Sequence, residues 1–301
     1  NGREFLPLDP TEFHQMTGRA GRRGMDHIGF AMAVPGKFMD IRRIGKLVTS
    51  RSADVSSQIK INFSMVLNLL LSHTPDQIED LLSDSFATFM MVKKKRKKGD
   101  RKPLQDEHKK LWRDFLHHLD FLKETGYVAK DGVLTADGIW ASQLRVDEPL
   151  MIAEGFRRGI LPESDPALLA AMTTLFVNER ESDDHIEKVF KPKTLMAAFL
   201  NVQKGLRPFA ALMADRGFEV RQLFLRPAAA IYAWAAGQPW EKVLGMAEME
   251  EGDLAMLILR TADNLRHIRS LKRVFPEAGL TSATSIDLIM RSPVAMEYDI
   301  G

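Results

Sequence analysis

The sequence predicts a mainly α-helical protein that opens with a small mixed α/β segment, and three observations lead there. From about Val48 onward apolar residues recur at helical spacing, and from Glu148 to the end only helices are expected, punctuated by Pro162, Pro192, Pro208, Pro227, Pro239 and Pro276. Between Leu111 and Leu144 the order is helix, tight hairpin, helix, which is that of a winged helix. Ahead of all this, His27 to Val34 is apolar enough for a short buried strand, closed by Pro35-Gly36.

The 301 residues are 45% apolar and 27% charged, an ordinary composition for a chain with real cores, and their number suggests about two domains before any motif is read. There is no cysteine, which excludes disulfide scaffolds, thiolate zinc sites and cysteine nucleophiles. No apolar run approaches the roughly 18 residues of a membrane span and nothing at the start reads as a signal peptide, so a cytoplasmic, non-membrane protein is expected. The net charge of +2 hides segregation. Lys93 to Arg113 holds 11 basic residues against 3 acidic, and residues 1–60 hold 10 against 6. Basic segments set apart in this way suit a polyanion approached from one side.

Asp9-Pro10-Thr11-Glu12 is a helix start, with Asp9 as N-cap, Pro10 at the first position and Glu12 reaching back as in a capping box. That helix ends near Met16 or Thr17, where Gly18, Gly21 and Gly24 interrupt it. Ser56 to Leu71 carries Ile59, Phe63, Val66, Leu67 and Leu70 at helical spacing, and Thr74-Pro75-Asp76-Gln77 caps a second helix to about Phe89. The run Lys93-Lys94-Lys95-Arg96-Lys97-Lys98 is either a solvated linker or a sequence-blind contact to phosphate. Leu111 to Thr125 forms a third helix, with Leu111, Phe115, Leu119 and Leu122 on one face and Gly126 as its cap. A Lys130-Asp131-Gly132 turn then joins Tyr127-Val128-Ala129 to Val133-Leu134-Thr135, and a helix from Ala136 to Leu144 follows.

Chemistry concentrates in Gln15-Met16-Thr17-Gly18-Arg19-Ala20-Gly21-Arg22-Arg23-Gly24-Met25-Asp26. Glycines let the backbone pass close to a ligand, and guanidinium forks take phosphate oxygens two at a time. Such an arginine can also stabilise the charge that develops as a γ-phosphoryl group is transferred. A bare GRxxR is usually a basic surface turn; the full string is far more specific. It resembles the sixth motif of superfamily-two helicases, on the second RecA-like domain. More narrowly, G-R-A-G-R-R-G-x-D looks like the DExH RNA helicases of the superkiller and mRNA-transport type, which feed RNA to the exosome. The resemblance implies that Gln15 and Arg19 sit at a nucleotide cleft with Gly18 and Gly21, and that Arg22 is an arginine finger.

The likeness continues downstream. Phe63-Ser64-Met65-Val66-Leu67-Asn68-Leu69-Leu70 is similar to the family's entry into its winged helix. Ser85-Phe86 fits the place where eukaryotic members launch an arch, for which a lysine-rich linker, 93–103, stands here. Trp234 to Trp240 and Glu251-Gly252-Asp253-Leu254 look like the C-terminal helical domain. The resemblance therefore implies the end of a RecA-like domain over 1–47, a winged helix over 48–147 and a helical ratchet domain over 148–301. No G-x-x-x-x-G-K-[ST] loop and no D-E-x-H occur. The chain thus reads as a C-terminal helicase fragment with half a nucleotide cleft. ATP and Mg²⁺ would act in the intact parent, and the fragment alone is expected to hold neither and to hydrolyse nothing. Its expected partners are RNA, with DNA left open, its own N-terminal RecA-like domains, and a nuclease or RNA-degradation complex.

A helix starting near Asp253 carries Leu254, Leu257, Ile258, Leu265 and Ile268 as an apolar stripe, with Arg260, Asp263, Asn264 and His267 on another face. On that face an Arg260–Asp263 pair is the plain expectation. The family resemblance instead implies a ratchet helix, on which Arg260 holds a phosphate or stacks on a base and Asp263 or Asn264 meets a base edge or ribose; family members carry glutamate where Asp263 stands. With Arg260, Asp263 and Asn264, the nucleic-acid candidates include Lys93, Lys94, Lys95 and Arg96. No metal site is expected: His117-His118 sit on the third helix beside Leu116 and Leu119 with no cysteine and no H-x-x-x-H partner, and Glu179 to Glu187 reads as a solvated loop. Trp234 and Trp240 read as core. Two alternatives compete with a 3′-to-5′ RNA helicase: a winged-helix nucleic-acid binder without a motor, and a DNA helicase of the same superfamily. A scaffold for a degradation complex would need protein partners the sequence does not reveal.

Overall fold

The computed structural model describes residues 7–21, 24–34, 40–51, 60–84, 105–177 and 192–295. The chain divides into two units, Asn1–Gln58 and Ile59–Gly301. In the first, α1 (Pro10–Thr17) begins at the anticipated capping box: Asp9 accepts from the Glu12 amide at 2.8 Å, and Glu12 accepts from the Asp9 amide at 3.0 Å. The second helix, α2 (Ile41–Thr49), is capped by Asp40. His14 ties the two together through Nε2, 2.6 Å from the Ser50 carbonyl oxygen.

The expected strand at His27 to Val34 does not form, and no strand occurs among the described residues. Ile28, Phe30, Met32 and Val34 are all exposed, Phe30 at 88% and Met32 at 90%. The apolar character that suggested a strand is real, but a strand persists only when its amides and carbonyls join a ladder, and no described neighbour offers one.

Among its described residues the second unit is made of helices joined by turns, with one isolated bridge. Its first part holds α3 (Phe63–Leu70), α4 (Pro75–Ser83), α5 (Gln105–Glu124) and α6 (Ala136–Ala141). The first of these starts later than its periodicity suggests, because Asn62 accepts from the Met65 amide and fixes the end there, leaving Lys60 and Ile61 outside. The helix expected to reach Phe89 turns at Asp84, beyond which residues lie outside those described. In α5 the chain enters the helix two turns before Leu111, and Leu111, Phe115, Leu119 and Leu122 are all buried. The hairpin is reduced to a single bridge, Val128 to Leu134, with the Ala129 amide donating to the Val133 carbonyl. Leu144, predicted to lie in the next helix, follows a turn after Ala141.

The remainder is α7 (Pro149–Arg157), α8 (Pro166–Thr174), α9 (Lys193–Asp215), α10 (Leu225–Ala235), α11 (Trp240–Ala247), α12 (Glu251–Ser270) and α13 (Pro276–Ile289). Small residues set the packing at its centre. The helices α8 and α10 pack on one another and each carries wholly buried alanines, Ala170 and Ala171 in α8 and Ala228, Ala229 and Ala230 in α10, while α13 lies against both α8 and α12. Trp234 is fully buried, donates through Nε1 to the Ile289 carbonyl at 2.8 Å and lies under the Arg291 guanidinium. Trp240 packs edge-on against it, so both tryptophans belong to the core.

Candidate functional site

The first candidate lies at the end of α1. Gln15 is an exposed residue of that helix, and Gly18 closes it by donating to the His14 carbonyl at 2.8 Å. A side chain at Gly18 would place Cβ 2.7 Å from that same oxygen, so glycine is required there. Arg19 and Ala20 continue the turn through the Met16 and Thr17 carbonyls. Gly21, at φ +83°, then reverses the chain so that Gly29 packs on the Ala20 carbonyl, where a Cβ would sit only 2.2 Å from the oxygen. Gln15, Gly18, Arg19 and Gly21 are thereby brought to one exposed, tightly turned helix end. Arg22, the finger candidate, lies outside the described residues, as does Arg23.

Beside α2 is a feature that sequence reasoning missed. An open concavity is lined by Pro10, Asp40, Arg42, Arg43, Lys46, Leu47 and Ser50. Its single carboxylate, Asp40, accepts from the Arg42 and Arg43 amides, so three cations face the opening while their one acidic neighbour caps the helix. The signal was legible as three basic residues within one helical turn of each other.

The second candidate is α12, which begins at Glu251, two residues before the expected start. Its apolar stripe of Leu254, Leu257, Ile258, Leu265 and Ile268 is buried. The polar face is divided. Asn264 is buried, Asp263 is exposed, and Arg260 and His267 lie against residues 143–148. Arg260 Nη2 meets Asp147 Oδ2 at 2.6 Å, and His267 Nδ1 is 3.3 Å from the Gln143 carbonyl oxygen. The local Arg260–Asp263 pair expected from spacing is replaced: Asp263 faces Arg266 at 3.6 Å. Three-residue spacing permits the local pair, but the loop after α6 brings a competing carboxylate closer. Lys93, Lys94, Lys95 and Arg96, like Glu179 to Glu187, fall outside the described residues.

Two charged clusters hold this second unit together. Glu154 is completely buried, accepts from the Tyr127 hydroxyl at 3.1 Å and pairs with Arg157 and Arg158. Arg157 also donates to the Thr125 carbonyl at 3.0 Å and covers the Tyr127 ring at 4.5 Å, linking hairpin to bundle. Burial pushes the Tyr127 hydroxyl above its usual range. Glu148 pairs with Arg221 at 3.1 Å, yet its removal from water prevails and raises its pKa to about 7, with Asp147 and Glu219 adding repulsion. His117 stacks on Phe218 at 4.4 Å, and burial holds the His118 imidazole below its usual pKa. Among the described residues no three His, Asp or Glu side chains group as metal ligands would, and no helix is long and apolar enough to cross a membrane.

Residues 131–297 match the DSHCT (NUC185) domain. The probable helicase HelY of Mycobacterium tuberculosis is 35% identical over 89 residues, 30% of this chain and 10% of that protein. Superkiller complex protein 2 of Mus musculus is 31% identical over 112 residues, 37% and 9% respectively. The chloroplastic DExH-box ATP-dependent RNA helicase DExH15 of Arabidopsis thaliana is 24% identical over 192 residues, 61% and 16%. The aligned segments span less than a fifth of these relatives. The domain match covers more than half of the chain, and HelY and DExH15 carry helicase names, in line with the motif at Gln15–Asp26: the chain belongs to the DSHCT domain family, within the superkiller-like superfamily-two helicases.

Proposed function

We propose that the chain is the C-terminal part of an ATP-dependent helicase that moves 3′-to-5′ on RNA. One observation carries this reading: the glycine-turned helix end bearing Gln15, Gly18, Arg19 and Gly21 shares a chain with a DSHCT domain. In it, residues 1–47 close a RecA-like domain, and Arg22 supplies an arginine finger beside Arg19 and Gln15 in a cleft for ATP and Mg²⁺. Residues 48–147 form a winged helix. Residues 148–301 guide the strand, with Arg260 of α12 toward a phosphate. Relatives named for the superkiller complex make an RNA-degradation assembly the favoured partner.

ATP turnover by a protein joining this chain to a complete motor tests the reading. Arg22→Ala should lower turnover roughly a thousandfold while largely sparing ATP binding. Turnover within a few-fold of the parent would remove the finger role. The chain by itself should show no hydrolysis above background. A nucleic-acid binder without a motor is the second reading, favoured by the helix–hairpin–helix passage of 105–141; it predicts RNA binding that ATP never alters.

A further inference from the structure

Asp147 stands at the polar flank of α12 in a way that its neighbours enforce. Leu144 is fully buried, Val146 packs on the core, and Glu148 is held by Arg221, so the loop is pinned on both sides of Asp147. Its carboxylate projects outward, 53% exposed, onto an Arg260 guanidinium that is 35% exposed. A guanidinium fork accepts carboxylate and phosphodiester oxygens in much the same geometry. An ion pair so open to water is weakly held and therefore exchangeable.

We infer that Asp147 is a built-in substitute for a backbone phosphate: it occupies the Arg260 site when no strand is bound and is displaced when a single-stranded nucleic acid arrives. This rests on the reading of α12 as strand-guiding and adds how that site is regulated. Glu148 cannot take the same part, because its carboxylate is turned toward Arg221. Asp147 therefore competes with an incoming phosphate for Arg260 and lowers the apparent affinity of the strand by a small factor, without regard to its sequence.

Binding of a fluorescein-labelled oligouridylate to the 301-residue chain, followed by anisotropy at fixed low salt, provides the test. Arg260→Ala should weaken binding about tenfold, the scale of one charged hydrogen bond. Asp147→Asn, which keeps shape and removes charge, should tighten it about two- to fivefold, the scale of an exposed ion pair. In an Arg260→Ala background Asp147→Asn should have no effect beyond the loss of one general negative charge, for which Glu241→Gln, at an exposed position of α11, is the control. Unchanged or weaker binding by Asp147→Asn, with Arg260→Ala still harmful, overturns the substitute role alone. If Arg260→Ala binds like the parent, the strand-guiding reading itself fails. Thermal melting of each variant separates these outcomes from loss of fold.

Discussion

The two units differ in what they can supply from their own residues. In 59–301, whole helices are lined by buried side chains and the core is continuous from Phe63 to Ile289. In 1–58, Leu47 is the one buried apolar side chain among the described residues, while Ile28, Phe30, Met32, Val34, Ile41 and Val48 face water. Yet the caps of α1 and α2 are as well formed as those of the larger unit. Local chemistry thus specifies a helix end or a glycine turn without a core, but it does not hold such pieces in a stable domain, since isolated short helices are marginal in water. The residues proposed for nucleotide chemistry lie in the unit with less packing of its own.

This contrast is open to direct tests, the strongest first. Residues 59–301 expressed alone should unfold cooperatively, whereas 1–58 alone should show no cooperative transition by circular dichroism; a sigmoidal melt of 1–58 would break the comparison. Within the full chain, Trp234→Ala should cost about 3–5 kcal/mol in denaturant unfolding, the range for a buried aromatic. Leu47→Ala should leave that main transition in place. Removing the buried carboxylate with Glu154→Ala should cost about 2 kcal/mol, because Tyr127 and two arginines lose a charged acceptor.

The smallest effect expected is a pH dependence at Glu148. Its folded pKa, about 7, lies above the ordinary 4.5, so the folded state binds the proton more tightly than the unfolded chain. The resulting stability is present below about pH 4.5 and lost as the pH rises through about 7. Glu148→Gln should therefore gain melting temperature relative to wild type between pH 5 and pH 8. A difference that stays constant over that range would show that Arg221 governs the carboxylate.

Features fixed by near neighbours were legible in the sequence. The Asp9–Glu12 box, the Thr74 cap, the buried stripe of α5 and the Asp131-Gly132 turn each depend on residues within a few positions. Helix limits shifted where a cap or an upstream turn outweighed periodicity, as at Asn62. The strand at 27–34 failed for a different reason: an apolar run describes what a ladder would accept, and the ladder is a non-local object. The candidate site was divided in the same manner. Gly18 and Gly21 could be read from spacing, whereas the partner of Arg260 lies 113 positions away and was invisible to any local rule.

The alanine seam between α8 and α10 has a mechanical consequence. Alanine has no rotamer to exchange, so wholly buried Ala170, Ala171, Ala228, Ala229 and Ala230 reduce the number of side chains in these two helices that could swing aside. Such a joint has little compliance: it resists rolling and sliding, and load applied to one helix passes to the other with little loss. A displacement of α8 would be passed to α10, and would have to be taken up at softer joints such as the solvent-exposed pair at Asp147.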